Sequence, residues 1–210
     1  MAATPMFPLE VAMLPGEELP LRIFEPRYTA LVSDCLAGDP VFGVVLIAAG
    51  REVGGGEARH DVGALARIVE HADLGEGRYR LRCILGERIR VTEWLDDAPY
   101  PRAVTVPWPD EAGPSVTGAD IATVEDTVME LFERIAESRN AALPPREELL
   151  GGPEPGQEAG DRLYALAARI PIGQADRYAV LAAPSACARL EALREAVETV
   201  AAMVEFQLSE

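Results

Sequence analysis

Arg78-Tyr79-Arg80-Leu81-Arg82-Cys83-Ile84-Leu85-Gly86-Glu87-Arg88-Ile89-Arg90-Val91 alternates polar and apolar side chains almost residue by residue. A period of two belongs to extended backbone, where successive side chains point to opposite faces, so one face of this stretch is core and the other is wet. Tyr79, Leu81, Cys83 and Leu85 form the apolar row of the first part, and Ile89 and Val91 that of the second. Gly86-Glu87 between them reads as a turn, which makes the whole stretch a β-hairpin.

Upstream, Met6 to Leu9 and Leu19 to Phe24 are short apolar segments separated by the turn signal Leu14-Pro15-Gly16, and they read as two strands. Pro26 suits the first turn of a helix carrying Tyr28, Leu31, Val32 and Cys35 on one face, ended by Gly38-Asp39-Pro40. Val41 to Ala48 is a nearly unbroken apolar run rich in β-branched residues, as expected of a strand covered on both faces at the centre of a sheet. Gly50 to Gly63 reads as a loop, Ala64 to Ala72 as a further strand, and Arg102 to Pro107 as the last one. Strands met in sequence with tight turns pair most simply as antiparallel neighbours, and curling into a small barrel disposes of the edges.

Beyond Trp108-Pro109 the period changes to about 3.6. Ile121, Val124, Val128, Leu131, Phe132 and Ile135 make one helical stripe, with Thr117 or Asp120 as its cap. Pro- and Gly-rich residues 144–160 form an exposed loop, Leu163 to Ile170 resume helix, a short helix follows at Gln174 to Ala182, and Ser185 caps a last one. The fold class is α+β: a twisted antiparallel β pseudo-barrel with one helix over residues 1–109, then a helical bundle over residues 110–210.

The chain has 210 residues and a formal charge of −16, and its acidic excess is larger in the second half. Such a field repels phosphate backbones and anionic membranes, which excludes nucleic acid and membrane as expected partners. All of the 19 basic residues are arginine. Without lysine there is no phosphate-binding loop of the G-x-x-x-x-G-K type, no Ser–Lys dyad and no Schiff base. Cys35, Cys83 and Cys187 are odd in number and far apart, as buried reduced thiols would be. His60 and His71 lack flanking ligands, so no metal and no cofactor is expected. No apolar run reaches bilayer length and no signal-peptide core opens the chain, so the expected location is the cytoplasm.

Phe7-Pro8-Leu9, Leu14-Pro15-Gly16 and the stretch from Leu19 to Tyr28 (Leu-Pro-Leu-Arg-Ile-Phe-Glu-Pro-Arg-Tyr) together resemble the opening of the Lon protease N-terminal, substrate-binding domain family. Phe42-Gly43-Val44-Val45, Asp61 to Ile68 and Gly86 to Val91 are similar to its next blocks, and Ile170 to Glu210 looks like the helical ending of free-standing bacterial members. The resemblance implies a partly closed, PUA-like barrel followed by helices. It also implies recognition of polypeptide, without the ATPase and Ser–Lys protease domains that do the work in Lon itself.

Within the motif, Pro15, Gly16, Arg22, Glu25, Pro26, Arg27, Tyr28, Gly43 and Gly63 read as structural, with Arg22 and Glu25 a candidate ion pair. The loop after the central strand offers Arg51, Glu52, Arg59 and His60 as polar contacts to a bound peptide. The function expected is therefore a non-catalytic polypeptide- or protein-binding module, an adaptor in protein quality control, with an oligomer left open. Two other classes compete: a small-molecule hydrolase in a barrel cleft, and an RNA-binding barrel using Arg78, Arg80, Arg82, Arg88 and Arg90. The second reading lacks a Gly-x-Ser-x-Gly elbow, and the third lacks interleaved aromatics.

Overall fold

A computed structural model of the chain describes residues 3–50 and 57–208. It divides into two compact units, residues 1–109 and 110–210.

The first unit contains strands β1 (Thr4–Leu9), β2 (Glu18–Ile23), β3 (Val41–Ala49), β4 (Ala58–Asp73), β5 (Tyr79–Leu95) and β6 (Arg102–Pro107), with helix α1 (Pro26–Ala37) between β2 and β3. The sheet order is β2-β5-β4-β3-β1-β6, and β5 also pairs with β6. That last pairing closes β5, β4, β3, β1 and β6 into a ring, with β2 attached outside it along the first half of β5.

Two features of the strand pairing differ from the expectations. Arg78 to Val91 is not a hairpin: β5 runs unbroken through Gly86-Glu87. Opposite β4, Ala64 pairs with Arg88 and Ala66 with Leu85, so Gly86 and Glu87 together face the single residue Leu65. This is a β-bulge, in which the extra residue bends the strand instead of reversing it. The bend lets the first half of β5 pair with β2 and the second half with β6. The other difference is β1–β3, which is parallel, while the remaining pairings are antiparallel. The chain leaves β1, makes β2 and crosses back through α1 before β3, and a crossover of that length permits a parallel neighbour. The sheet is therefore mixed.

Apolar residues of alternating parity build two clusters on opposite faces of the sheet. Phe7, Phe42, Val44, Ala64, Ala66, Leu81, Cys83 and Leu85 form one face, covered by Tyr28, Leu31, Val32 and Cys35 of α1. Met6, Val45, Ile89, Val91 and Ala103 form the smaller one. Gly63 is placed by close approach: a Cβ there would stand 2.0 Å from the carbonyl oxygen of Val44 in the neighbouring strand. Gly43 lies opposite Met6, whose thioether occupies the adjacent space.

The second unit holds α2 (Gly118–Ser138), α3 (Arg146–Leu150), α4 (Ala159–Ala167), α5 (Gln174–Ala182) and α6 (Ala186–Leu208). Thr117 and Asp120 cap α2 reciprocally, each side chain bonding the other's backbone N–H. Leu131, Leu150, Leu163, Leu166, Leu181 and Leu193 fill its core. Between residues 144 and 160 the short helix α3 interrupts the loop, and buried Arg162 ties the following turn down. Its guanidinium donates to the carbonyls of Leu150, Gly151 and Gly152 and bonds Glu125 at 2.6 Å. Arg189, 1% exposed, pairs with Asp110 and lies 3.9 Å from the Tyr164 ring centre.

Candidate functional site

Arg22, Glu25, Pro26, Arg27 and Tyr28 sit where β2 runs into α1, while Pro15 and Gly16 precede the other end of β2. Leu14-Pro15-Gly16-Glu17 is a turn closed by the Glu17 N–H donating to the Leu14 carbonyl, with Gly16 at φ 87°, the left-handed third position that a type II turn requires. It delivers the chain to β2, whose Leu19, Leu21 and Ile23 are buried and whose Glu18, Pro20 and Arg22 face solvent. Pro26 begins α1, and the Glu25 carbonyl accepts the N–H groups of Tyr28 and Thr29.

Glu25 pairs with Arg27 at 3.2 Å and not with Arg22, which strand alternation turns to the solvent side. The Arg27 guanidinium lies 4.4 Å from the centre of the Tyr28 ring, and Phe7 stacks on the same ring at 4.1 Å. The Tyr28 hydroxyl is buried without a hydrogen-bond partner, and burial raises its pKa well above the ordinary tyrosine value.

Arg59 and His60 stand on β4 and not in a loop, because β4 starts at Ala58; Arg51 and Glu52 lie outside the described residues. Arg59 grips Asp97 through both terminal nitrogens at 3.2 and 3.0 Å, donates from Nε to Glu57 at 2.9 Å, and sits 4.9 Å over Trp94. His60 is half-buried. Charges on Arg27, Glu57, Glu25 and Arg59 all act on the Tyr28 phenol, so the motif and the start of β4 share one electrostatic neighbourhood. The side chain of Glu57 is fully buried, and its second carboxylate oxygen has no hydrogen-bond partner.

Sequence reasoning missed the apolar surface beside this cluster. Phe24 is 63% exposed and Leu74 52% exposed. Ile23, Tyr79 and Asp73 lie in one row across β2, β5 and β4, so Phe24 and Leu74 each follow that row by one residue. Two strand spacings put their backbones about 10 Å apart. The signal was available: after Leu19, Leu21 and Ile23 face the core, residue 24 falls on the solvent parity, yet it is phenylalanine. An exposed aromatic next to an exposed leucine can hold an apolar side chain of another polypeptide.

The basic stripe of β5 is largely engaged within the unit. Arg78 pairs with Glu76, Arg82 with Glu18 and Glu70, and Arg88 is buried with its Nε donating to the Trp108 carbonyl. Arg90 packs 3.7 Å from the Trp108 ring centre. Among the described residues no three His, Cys, Asp or Glu gather as metal ligands, and no helix is long and apolar enough to cross a membrane.

Comparison with known proteins agrees with this architecture. A family model described as the ATP-dependent protease La (LON) substrate-binding domain matches residues 3–199. Lon protease 2 of Myxococcus xanthus is 36% identical over 101 residues, and Lon protease of Anaeromyxobacter dehalogenans 33% identical over 104. These matches take in 47% and 49% of this chain but only 12% of either relative's length. A Lon N-terminal domain protein from Xanthomonas campestris superposes over 92% of this chain and 97% of its own, with TM-score 0.62 at 24% identity. The N-terminal domain of a Mycobacterium avium complex Lon protease does so over 94% and 98%, with TM-score 0.64 at 12% identity. At those identities the two structures speak to fold, and the match over residues 3–199 speaks to family: the chain belongs to the Lon protease substrate-binding domain family.

Proposed function

We propose that this chain is a non-catalytic module that captures apolar segments of unfolded or extended polypeptide and serves as an adaptor in protein quality control. The observation that carries the reading is the exposed pair Phe24 and Leu74 at the end of the β2-β5-β4 row, beside a rigid charge-paired cluster. Solvent-facing apolar side chains at fixed backbone positions gain burial only when a partner covers them. Membership in a family described by substrate binding supports the same reading. The buried thiols of Cys35 and Cys83 are poor nucleophiles, since burial pushes them up to about 11 and about 12. Arg59, with His60 next to it on β4, stands as a candidate edge contact for the bound chain.

The test is fluorescence anisotropy with a reduced, carboxymethylated model protein as ligand. Wild type binds it, and Phe24→Ser/Leu74→Ser binds about tenfold more weakly with an unchanged circular dichroism spectrum, the loss expected for removing a central apolar anchor. Mass spectrometry finds the ligand uncut. Binding that is absent, or indifferent to the double variant, rules the proposal out, and so does cleavage by the purified chain alone.

A further inference from the structure

A second candidate surface lies elsewhere on the first unit. A cleft of about 430 Å³ opens where β1 and β3 begin and β6 ends. Val41, Leu65 and Ile89 contribute apolar walls, and Asp34, Asp39 and Glu87 also line it. Leu65 and Ile89 belong to the smaller of the two core clusters, so the cleft leads down to packed apolar side chains. Neither Phe24 nor Leu74, nor any residue of β2, is among the residues that line it. The cleft is thus separate from the Phe24 surface.

Its chemistry is one-sided. No arginine or histidine lines it, and its three carboxylates are all exposed. The Asp34 carboxylate accepts the Tyr100 hydroxyl at 2.8 Å through one oxygen, which leaves the other for an incoming donor. Asp39 pairs with Arg67, but both side chains are more than half exposed, and a pair of that kind is weak enough to exchange for a better-placed cation. The formal charge of −16 draws cationic segments toward the molecule from solution. Apart from the exchangeable Arg67 at Asp39, no basic side chain lines the cleft, and a cationic occupant supplies the complementary charge.

We infer that this cleft is a second polypeptide subsite, selective for segments in which an apolar side chain is flanked by arginine or lysine. The apolar residue enters between Val41, Leu65 and Ile89, and the basic neighbours reach Asp39 and Glu87 at the rim. The inference rests on the polypeptide-binding reading above and adds to it a substrate class and a place.

The experiment uses the full chain and two short fluorescein-labelled peptides sharing a Leu-Leu-Val centre, one flanked by arginines and the other by glutamates. The arginine peptide binds at least about tenfold more tightly at low salt, and the difference shrinks as salt screens the rim charges. Asp39→Asn/Glu87→Gln removes most of that preference; Asp34 is left intact because it holds Tyr100. Methyl signals of Leu65 and Ile89 shift on addition of the arginine peptide. Equal affinity for the two peptides, or a preference that survives Asp39→Asn/Glu87→Gln, overturns this subsite while the Phe24 reading stands. A dimer that forms without peptide and is lost in the same variant would seat a second copy in the cleft and overturn it too. Failure of both peptides to bind wild type would sink the polypeptide-binding reading itself.

Discussion

Cys35 and Cys83 occupy the same buried cluster, one from α1 and one from β5. Burial is the main cause of their raised pKa values, about 11 and about 12; Asp34 and Asp39 add to the first, and Cys35 to the second. Both therefore stay protonated at ordinary assay pH, and thiolate is the reactive form. With Ellman's reagent at pH 8, half-buried Cys187 is the thiol expected to react in native protein, and all three react in denaturant. Rapid reaction of Cys35 or Cys83 without denaturant would mean that the α1 face of the sheet opens readily. Cys35 and Cys83 were legible as buried thiols because the cysteines were too scattered for a bridge or a metal, whereas Cys187, expected to be buried as well, is only half-buried. Arg59 was less legible. Its partners Glu57, Asp97 and Trp94 are brought together by strand pairing, and the Arg59–Asp97 contact spans 38 positions of sequence.

At the level of elements, α1, β3 and β6 follow directly from local pattern, because each carries its own period and its own stop signals. β5 does not. Glycine followed by a charged residue between two alternating runs supports either a turn or a bulge. What decides it is the pairing of both halves with different partners, β2 and β6, which no local window contains. The parallel β1–β3 pairing escapes local reading for the same reason. In the helical unit the corresponding non-local device is Arg162, which joins Glu125 of α2 to the carbonyls of Leu150 at the end of α3 and of Gly151 and Gly152 beyond it. Arg162→Met would leave those carbonyls without their donor and the mostly buried Glu125 carboxylate with Arg146 as its remaining partner. The expected cost is about 2 kcal/mol of unfolding free energy in urea titration, together with faster proteolysis between Gly151 and Gly160. A Lys at 162 keeps the charge but lacks the fork of donors, so it should recover only part of the loss.

For the molecule as a whole, each unit carries its own apolar core: 1–109 around the α1 face of the sheet, 110–210 around its leucines. Each is about 100 residues, enough for independent folding. Expressed separately, the fragments 1–109 and 110–210 should each give a dispersed amide spectrum and a single cooperative urea transition. A fragment that binds hydrophobic dye and melts without cooperativity would show that its core needs the other half. The ring in the first unit also has a consequence for synthesis. β1 emerges from the ribosome first, yet it needs β3 on one side and β6 on the other. The last of these appears about 100 residues later, which at roughly 5–20 residues per second is on the order of ten seconds. Throughout that interval the nascent chain carries an unsatisfied strand edge.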